Sequence, residues 1–588
     1  MIKIKALSNF VRHFHSTFIA QRCSELTRKE SIGHKYPKDR PVLVTCGLPY
    51  VNGPCHIAHL RTYEPADIFV RFLRKQGQEV VFICGSDTHG TPITVKAEEE
   101  GVSPQEIIVK YHKHFIQIFR KLGIHFDNYG STDHPLNHNR TQQIVKALRD
   151  NGYVYSKNLE LPYCPQCERF LPDRYLRGTC PYCGAPARGD ECDQGCGRFL
   201  ETGELIDPRC SICDSKPVIK ETRHYFLRLT AFEDFLRNYL HKMNGTDIAR
   251  NYALQWVEKG LQDWNITRNL DWGVRFPGEE NLVLYVWVDA PIGYIGSTEE
   301  WAQRTGGDWK YFWKGPGYLI HFIGGDIIYH HCLFWPAMLK GSDYDVPYAV
   351  VASGMVRVEG RVFSKSRGYV IWVEEDYLDN GLDPDPLRYY IASYTGHTRD
   401  LDFSWATYGE KVNKELVGIL GNFLYRAVLF AYRNYGLIPE GTVEPDVKAE
   451  VETAIENIKD GLDQYEFKKI ADAVIAIAVF GNRYLQANEP WRLKDTEPMK
   501  AQQTIYNSLW LAKAIAVAME PLMPEKAEVL WSQLYGEATS NIALNEALTP
   551  LQSGTKLERP TPLFKQVSEE EIERLSLMIS QRISQAKG

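Results

Sequence analysis

The 588-residue sequence lacks any apolar stretch long enough to cross a membrane. Its longest apolar segment, near residues 471–480, is short and is interrupted by Asp472. No apolar core of signal-peptide length follows the early lysines, which argues against secretion. Low-complexity repeats are also missing and aromatic residues make up 12% of the chain, which excludes a disordered or fibrous protein. We therefore predict a multidomain globular protein with no membrane partner.

The chain also lacks an excess of positive charge. Lys and Arg total 68 against 74 Asp and Glu, a net charge of -6, so no overall basic field indicates a nucleic-acid partner. Residues 1–38 differ, because eight basic and two acidic residues give them a net charge of +6 and leave about -12 for the rest. We expect a disordered terminal extension and a cytoplasmic protein. An organellar transit peptide is the alternative.

Cysteine is abundant in one region only. Of 13 cysteines, eight fall in four closely spaced pairs: Cys164 and Cys167, Cys180 and Cys183, Cys192 and Cys196, Cys210 and Cys213. Two such turns supply the four thiolates of a tetrahedral zinc site, so the four turns predict two structural zinc ions. Disulfides and a redox dithiol are the alternatives, and the missing secretion signal disfavours the disulfides. The economical grouping is nested, with Cys180, Cys183, Cys192 and Cys196 inside and the other four outside.

A nucleotide site is indicated near the start of the globular part. Residues 41–46 form a buried-strand pattern, a loop with Gly and Pro follows, and a helical pattern begins near His56. A strand, a tight loop and a helix N-terminus form an anion site at the carboxyl end of a parallel sheet. His56 and His59, three residues apart, share one helical face and could contact phosphate or ribose.

A second loop, about 300 residues later, carries Ser364, Lys365 and Ser366. A flexible cation between hydroxyl donors suits a phosphoryl group whose charge grows in a transition state. The histidine loop and the Ser-Lys-Ser loop together resemble the two signature motifs of class I aminoacyl-tRNA synthetases. That resemblance implies roles for His56, His59, Ser364, Lys365 and Ser366 in ATP binding, with His56, His59 and Lys365 in catalysis.

Further segments resemble the methionyl-tRNA synthetase family over roughly residues 40–550. The segments are 48–54, 85–92, 285–294 and 321–336, of which 285–294 looks like the family's pocket strand and turn. The resemblance implies that Asp87 binds the substrate ammonium and that Arg268 lies at the active-site mouth as a catalytic residue. It implies a methionine pocket of aromatic and apolar groups, in which a thioether packs well. Its members would be Leu48, Tyr50, Asp87, Trp287, Ala290, Pro291, Tyr294, Ile327, His331 and Trp335.

Three positions depart from the family pattern. Ala58 stands where glycine is usual in the histidine loop, and Val362 stands where the lysine loop usually has a first lysine. Gly325 replaces a position that is commonly lysine. Lys365 would therefore carry more of the phosphate charge.

From about residue 410 the pattern changes to long apolar-periodic helices. Asn422 and Arg426 are four residues apart and share a face, and Trp491 follows a helix break at Pro490. The resemblance implies that Asn422, Arg426 and Trp491 read the anticodon of tRNA(Met), initiator and elongator, by stacking and base-edge hydrogen bonds. No barrel or C-terminal dimerisation domain is predicted after the bundle, and the oligomeric state is left open.

The predicted fold is α/β: a split Rossmann-like nucleotide-binding domain with a zinc-knuckle insertion, followed by an α-helical anticodon-binding bundle. The predicted division of the chain is 1–38 basic extension, 39–134 first catalytic half, 135–284 connective insertion with knuckles at 164–213, 285–355 second catalytic half, 356–410 lysine-loop segment, 411–550 helical domain and 551–588 tail.

The predicted reaction is ATP-dependent activation of L-methionine and its transfer to tRNA, with Mg²⁺ as the counter-ion of the nucleotide. Two rival functions remain at this point. A nucleotidylyltransferase would share the histidine loop but would not need the helical bundle or the zinc insert. A zinc-ribbon RNA-binding protein would not need the two nucleotide loops.

Overall fold

The computed structural model describes residues 40–586, apart from 190–191, 193–194, 197, 199, 201–202 and 538–541. The predictions for residues 1–38 lie outside the described residues. All of the described residues belong to one compact unit.

A six-stranded parallel sheet forms the centre of the catalytic part. Its strands, in spatial order, are Asn244–Gly245, Ala349–Ser353, Tyr318–Gly324, Val42–Cys46, Val80–Ser86 and Asn128–Ser131. The chain winds outward from Val42–Cys46 in one direction and returns later to build the other half beside it. This reversal creates a crevice at the carboxyl ends of Val42–Cys46 and Tyr318–Gly324, where open α/β sheets bind ligands. The edge strand Asn244–Gly245 comes from within the segment predicted as the insertion.

Helices cover both faces of the sheet, and the core strands are buried almost completely because both faces are covered. The helices of residues 40–400 are Ile57–Lys75, Thr91–Glu100, Pro104–Lys121, Pro135–Asp150, Glu233–Lys242, Asp247–Lys259, Val286–Thr305, Lys310–Trp313, Trp335–Gly341 and Pro384–Ser393. Short 3-10 or π turns are Asp173–Tyr175, Leu229–Phe232, Gly325–Ile327, His330–Phe334, Val373–Tyr377 and Leu378–Asn380.

Smaller antiparallel and mixed sheets build the insertion and the lysine-loop segment. The insertion has a four-stranded sheet of Trp264–Asn265, Val218–Leu227, Val154–Cys164 and Arg169–Phe170, and a three-stranded sheet of Pro186–Arg188, Leu176–Thr179 and Ile206–Cys210. Thr267–Arg268 pairs with Val283–Leu284. The lysine loop follows the strand Arg361–Val362, which belongs to a sheet with Val356–Val358 and Leu401–Phe403.

The C-terminal part is a helical bundle. Its elements are Trp405–Lys411, the π-helical Val412–Gly421, Asn422–Asn434, Pro445–Asp463, Phe467–Asn488, Pro490–Leu493, Pro498–Met519, Pro524–Tyr535, the 3-10 turn Leu544–Leu548 and Glu569–Gln585. Among the described residues, one helical stretch, Trp405–Asn434, is long and apolar enough to cross a membrane by length and composition alone. The sequence-based prediction that no apolar stretch is long enough is therefore wrong by this criterion, although Leu416, Leu420 and Phe423 in the helix are buried within the bundle. The predicted α/β domain with a helical bundle is confirmed.

The segment Tyr285–Tyr294 corrects a prediction. It was expected to be a strand and turn, but Val283–Leu284 is a two-residue strand and the helix Val286–Thr305 begins directly after it. Every residue from Val288 to Thr298 is buried, because the helix packs between the sheet and the helix Pro135–Asp150. This packing overrides the β-propensity of the Val-Trp-Val run.

Candidate active site

The two loops that are 300 residues apart in sequence meet in the structure. The amide of Ile57 donates to the carbonyl of Ile371 (3.0 Å), and the amide of Val373 donates to the carbonyl of Cys55 (3.0 Å). The ring of Phe363 lies 4.4 Å from that of His56. The lysine loop therefore packs directly on the start of the histidine helix.

The paired histidines stand at the N-terminus of the helix Ile57–Lys75, as expected. Their rings stack with centroids 3.6 Å apart. Burial lowers the pKa of both, and Lys365 lowers each further, so both rings are neutral at pH 7. The Nδ1 of His56 is buried without a hydrogen-bond partner among the described residues. A neutral imidazole here can donate to a phosphate or ribose oxygen.

Lys365 lines the same cavity, and its ammonium lies 3.7 Å from the position a Cβ would take at Gly53. It keeps solvent exposure at the mouth, yet desolvation by the surrounding protein, with a further contribution from Arg174, lowers its pKa to about 8. Ser364 accepts a hydrogen bond from Nε of Arg367 (3.1 Å), and its hydroxyl lies 3.4 Å from that of Ser366. These two serines do not line the cavity.

The cavity has a volume of about 610 Å³ and lies at the switch point of the sheet. The structure brings to it the predicted catalytic residue Arg268 and eight of the fifteen residues predicted for ATP and methionine: Leu48, Tyr50, His56, His59, Asp87, Trp287, Ile327 and Lys365. Nucleotide-loop and amino-acid-pocket residues thus share one cavity.

Asp87 provides a buried carboxylate in this cavity. It follows the strand Val80–Ser86, and its backbone pairs with the loop above, through its amide to Pro49 (2.9 Å) and its carbonyl to Val51 (3.1 Å). Its side chain is 5% exposed, and Oδ1 has no hydrogen-bond partner among the described residues. Burial, followed by the charge of Asp289, raises its pKa well above the usual value. A ligand ammonium would supply the missing counter-charge.

Aromatic residues form one wall. Trp287 lines the cavity and stacks on His330, with centroids 3.8 Å apart and planes 15° apart. Behind it, the hydroxyl of Tyr294 lies 2.7 Å from Nε2 of His331, and Nε1 of Trp335 donates to Nε2 of His321 (3.2 Å). Five predicted pocket residues are buried behind the lining and do not line the cavity: Ala290, Pro291, Tyr294, His331 and Trp335.

Several groups at the cavity were not predicted from the sequence. Asp326 lines it, and burial raises its pKa. Asp326 lies within the segment 321–336, which resembles the family. A carboxylate directly after a predicted strand could therefore have indicated a cavity residue. Arg174 also lines the cavity although it comes from the zinc-bearing insert, and nothing in the sequence pattern indicated that. Arg268, which lines the cavity, has its guanidinium 4.0 Å from the ring centroid of Tyr285, a cation–π contact that holds the side chain in place.

The eight cysteines form two groups that match the economical nested grouping, which spacing alone left open. In the outer group the sulfurs of Cys164 and Cys213 are 3.4 Å apart and those of Cys167 and Cys210 are 3.9 Å apart. In the inner group Cys180 and Cys196 are 3.8 Å apart, and Cys183 and Cys192 are 3.5 Å apart. A tetrahedral zinc with four thiolates has sulfur–sulfur edges of about 3.8 Å, whereas a disulfide needs about 2 Å. Both groups can therefore hold zinc.

The three predicted anticodon residues lie in the helical bundle. Asn422 and Arg426 are one turn apart on the helix Asn422–Asn434. Glu489, with a left-handed φ of 37°, ends the helix Phe467–Asn488. Trp491 lies in the short helix Pro490–Leu493 that follows. The Arg426 guanidinium lies 5.4 Å from the Trp491 ring. Arg426 and Trp491 are thus in contact although 65 residues separate them in sequence.

A switch-point cavity lined by paired histidines and a distant lysine loop defines a class I aminoacyl-tRNA synthetase. Residues 42–428 match the family model described as tRNA synthetases class I (M), and residues 438–582 match the anticodon binding domain of methionyl tRNA ligase. The chain belongs to the methionyl family of class I tRNA synthetases, which confirms the predicted resemblance.

Curated relatives agree with this membership. A protein of Methanosarcina acetivorans named methionine–tRNA ligase is 57% identical over 93% of this chain and 77% of its own length. A protein of Methanococcoides burtonii with the same name is 56% identical over 94% of this chain and 81% of its own length. Among solved structures, the Mycobacterium tuberculosis methionyl-tRNA synthetase in complex with methionyl-adenylate aligns with a TM-score of 0.75 at 24% identity. That alignment covers 89% of this chain and 99% of the other, and it supports the fold.

Proposed function

We propose that this protein is a methionine–tRNA ligase. It activates L-methionine with ATP to methionyl-adenylate, releases pyrophosphate, and transfers the methionyl group to the 3'-terminal ribose of tRNA(Met), initiator and elongator. The observation that carries the proposal is the shared cavity, which is lined by Asp87 and also by His56, His59 and Lys365. Asp87 is a buried carboxylate, and its Oδ1 has no hydrogen-bond partner among the described residues. An amino acid and a nucleotide can therefore bind side by side.

At the nucleotide end, the proposed roles follow from charge and protonation. Neutral His56 and His59 donate to ATP phosphate and ribose without adding positive charge to the helix N-terminus. Lys365, on the loop packed against them, neutralises the pyrophosphate as its charge develops, with Ser364 and Ser366 supporting that loop. Mg²⁺ accompanies ATP as its counter-ion. No side chain acts as a nucleophile, because the methionine carboxylate itself attacks the α-phosphorus.

At the amino-acid end, Asp87 pairs with the ammonium and the aromatic wall receives the thioether. Leu48, Tyr50, Trp287 and Ile327 line this end, and Arg268 stands at the rim. The remaining proposed pocket residues, Ala290, Pro291, Tyr294, His331 and Trp335, form a buried layer behind the lining.

Two further elements complete the proposal. Each cysteine group holds one structural zinc, because four thiolates leave no open coordination position for a substrate. Asn422, Arg426 and Trp491 contact the anticodon, with Trp491 stacking on a base. The proposed place of action is the cytoplasm, and organellar targeting would depend on residues 1–38, outside the described residues.

Amino-acid-dependent exchange of labelled pyrophosphate into ATP tests the activation step. We expect exchange with methionine and none with cysteine or leucine. Lys365→Ala should lower the exchange rate by about 10²–10³-fold, since it removes a cation from the developing charge. The exposed Lys565→Ala serves as the matched control and should keep the wild-type rate. Exchange with cysteine or leucine but not with methionine would retain the class and reject the substrate.

A further inference from the structure

An ionic cluster lies beside the cavity and outside the residues given roles so far. His89 Nδ1 lies 2.6 Å from Asp289 Oδ2, and His89 Nε2 lies 3.5 Å from Asp133 Oδ1. His138 Nε2 lies 3.3 Å from the same Asp133 oxygen. The cluster joins three chain segments: the one after the strand Val80–Ser86, the one after the strand Asn128–Ser131, and the helix Val286–Thr305.

The centre of this cluster is sealed from solvent. His89 is 1% exposed and Asp289 is 0% exposed, and Asp289 Oδ1 has no hydrogen-bond partner among the described residues. Burial opposes a charge on His89, but Asp289 and Asp133 outweigh it and raise its pKa to about 10. His89 is therefore a cation between two carboxylates, and it compensates a buried anion that would otherwise be costly.

The same residue is connected to the amino-acid end of the cavity through the backbone. His89 is two residues after Asp87, and its carbonyl accepts a hydrogen bond from the Tyr50 hydroxyl. The carbonyl of Thr88, between them, accepts from Nε1 of Trp272 (2.8 Å). The segment that carries Asp87 is thus held by its carbonyls on one side and by the His89 ring on the other.

Asp289 also belongs to the helix Val286–Thr305, here called the pocket helix, two residues after Trp287 and one before Ala290. Its charge disfavours ionisation of Asp87, whereas the charge of His89 favours it. A cation at His89 therefore acts on Asp87 in two ways: it fixes the distance between Asp87 and the pocket helix, and it offsets the repulsion from Asp289.

We propose that His89, tied to Asp289 and Asp133, is a positioning residue that sets how strongly Asp87 binds the α-ammonium of the amino acid. This inference rests on the proposed function, because it assumes that an amino acid occupies the cavity. His89 touches no substrate in this assignment and acts through Asp87.

The test compares ligands with and without the ammonium. In His89→Asn, the KM for methionine in pyrophosphate exchange should rise by about tenfold or more, while the KM for ATP stays within about twofold. The α-hydroxy analogue of methionine lacks the ammonium, so its inhibition constant against methionine should change by less than about threefold. The exposed His241→Asn is the matched control and should behave as wild type.

A general distortion of the pocket gives a different result, since it weakens the binding of methionine and of the hydroxy analogue equally. That outcome would overturn the inference. In an Asp289→Asn background, His89→Asn should cost much less than in wild type, because the buried anion that His89 balances is gone. If His89→Asn does not fold, Asp133→Asn should show the same selective rise in methionine KM at smaller size, and an unchanged KM would count against the proposal.

Metal analysis provides a second decision, because His89, Asp133 and His138 also have ligand atoms close enough to hold a metal ion. If the protein binds a third metal ion per chain, and His138→Asn loses it, the cluster is a metal site. That result would overturn the proposal that a protonated His89 balances Asp289 and Asp133. Absence of methionine-dependent exchange in the wild-type protein would refute the proposed function. Normal wild-type exchange without a selective effect in His89→Asn would refute this inference alone.

Discussion

At the scale of single residues, Glu64 has an unusual environment in the helix that begins at the paired histidines. Its side chain is 0% exposed, and neither carboxyl oxygen has a hydrogen-bond partner among the described residues. Burial raises its pKa from 4.5 to about 8, against the opposing charge of Arg388. The folded protein therefore holds a proton on Glu64 at neutral pH, whereas the unfolded chain releases it.

The resulting pH dependence has a definite sign. The pKa of Glu64 is higher in the folded protein than in the unfolded chain. The stability that comes from keeping Glu64 protonated is therefore complete below pH 4.5 and is lost as the pH rises towards 8. Glu64→Gln cannot ionise, so its stability relative to wild type should increase by a few kcal/mol, at most about 5, between pH 5 and pH 8. Thermal unfolding across that range measures the difference, with exposed Glu456→Gln as control. A difference that does not vary with pH would contradict the prediction.

Gly325 shows what the sequence could not explain by itself. Glycine stands there where the family commonly has lysine, and the sequence indicated only that a cation is lost. In the structure, a Cβ at Gly325 would lie 2.8 Å from the carbonyl oxygen of Ser353. The backbone of the next strand therefore leaves no room for a side chain in this conformation.

At the scale of elements, local patterns predicted most of what local forces decide. The buried strand before His56, the helix after it and the apolar-periodic helices after residue 410 are all present. Cysteine spacing predicted two groups because a short turn fixes the distance between two sulfurs. The strand expected at Tyr285–Tyr294 is instead a helix, since its burial on all sides is a property of its neighbours. The position of Arg174 at the cavity likewise depends on tertiary packing, because the residue comes from the insertion.

The knuckles allow a test of the zinc proposal. Cys180→Ala removes one thiolate from the inner group, in which Cys180 and Cys196 sulfurs are 3.8 Å apart, and leaves the outer group intact. We expect the zinc content to fall by about one ion per chain, because a structural site needs all four ligands. Cys164→Ala should remove the other ion, and the double variant both. Two zinc ions in Cys180→Ala would reject the grouping.

At the scale of the whole molecule, amino-acid activation and anticodon reading are assigned to different parts of the chain. Trp491, in contact with Arg426, belongs to the bundle, while the cavity belongs to the sheet. Trp491→Ala removes a stacking surface worth about 1–3 kcal/mol, so tRNA charging should fall by about 10- to 100-fold. Pyrophosphate exchange without tRNA should stay within about twofold. Trp531→Ala, within the same bundle, is the control, and equal losses in both assays would remove Trp491 from anticodon reading.

A buried arginine is one of several links between the two parts, beside the Arg71–Glu520 ion pair (2.7 Å) and the ring contact of Phe69 with Tyr465. Arg388 is 0% exposed and donates to Asp67 (2.7 Å), and to the carbonyls of Leu122 (3.2 Å), Pro521 (2.8 Å) and Leu522 (3.2 Å). Asp67 is in the histidine helix, and Pro521 and Leu522 follow the bundle helix Pro498–Met519. One guanidinium therefore connects the helix of the nucleotide site to the bundle.

Removing that link should weaken the coupling between the two parts. Arg388→Met keeps the volume but leaves three carbonyls without their donor, which should lower stability by about 3–5 kcal/mol. We expect calorimetry to separate the unfolding of the two parts more than in wild type, since one link between them is lost. Charging should fall more than exchange, since the bundle must hold the tRNA in register with the cavity. The exposed Arg433→Met should change neither measurement. A single transition with proportional losses in both assays would show that Arg388 stabilises the fold without coupling its parts.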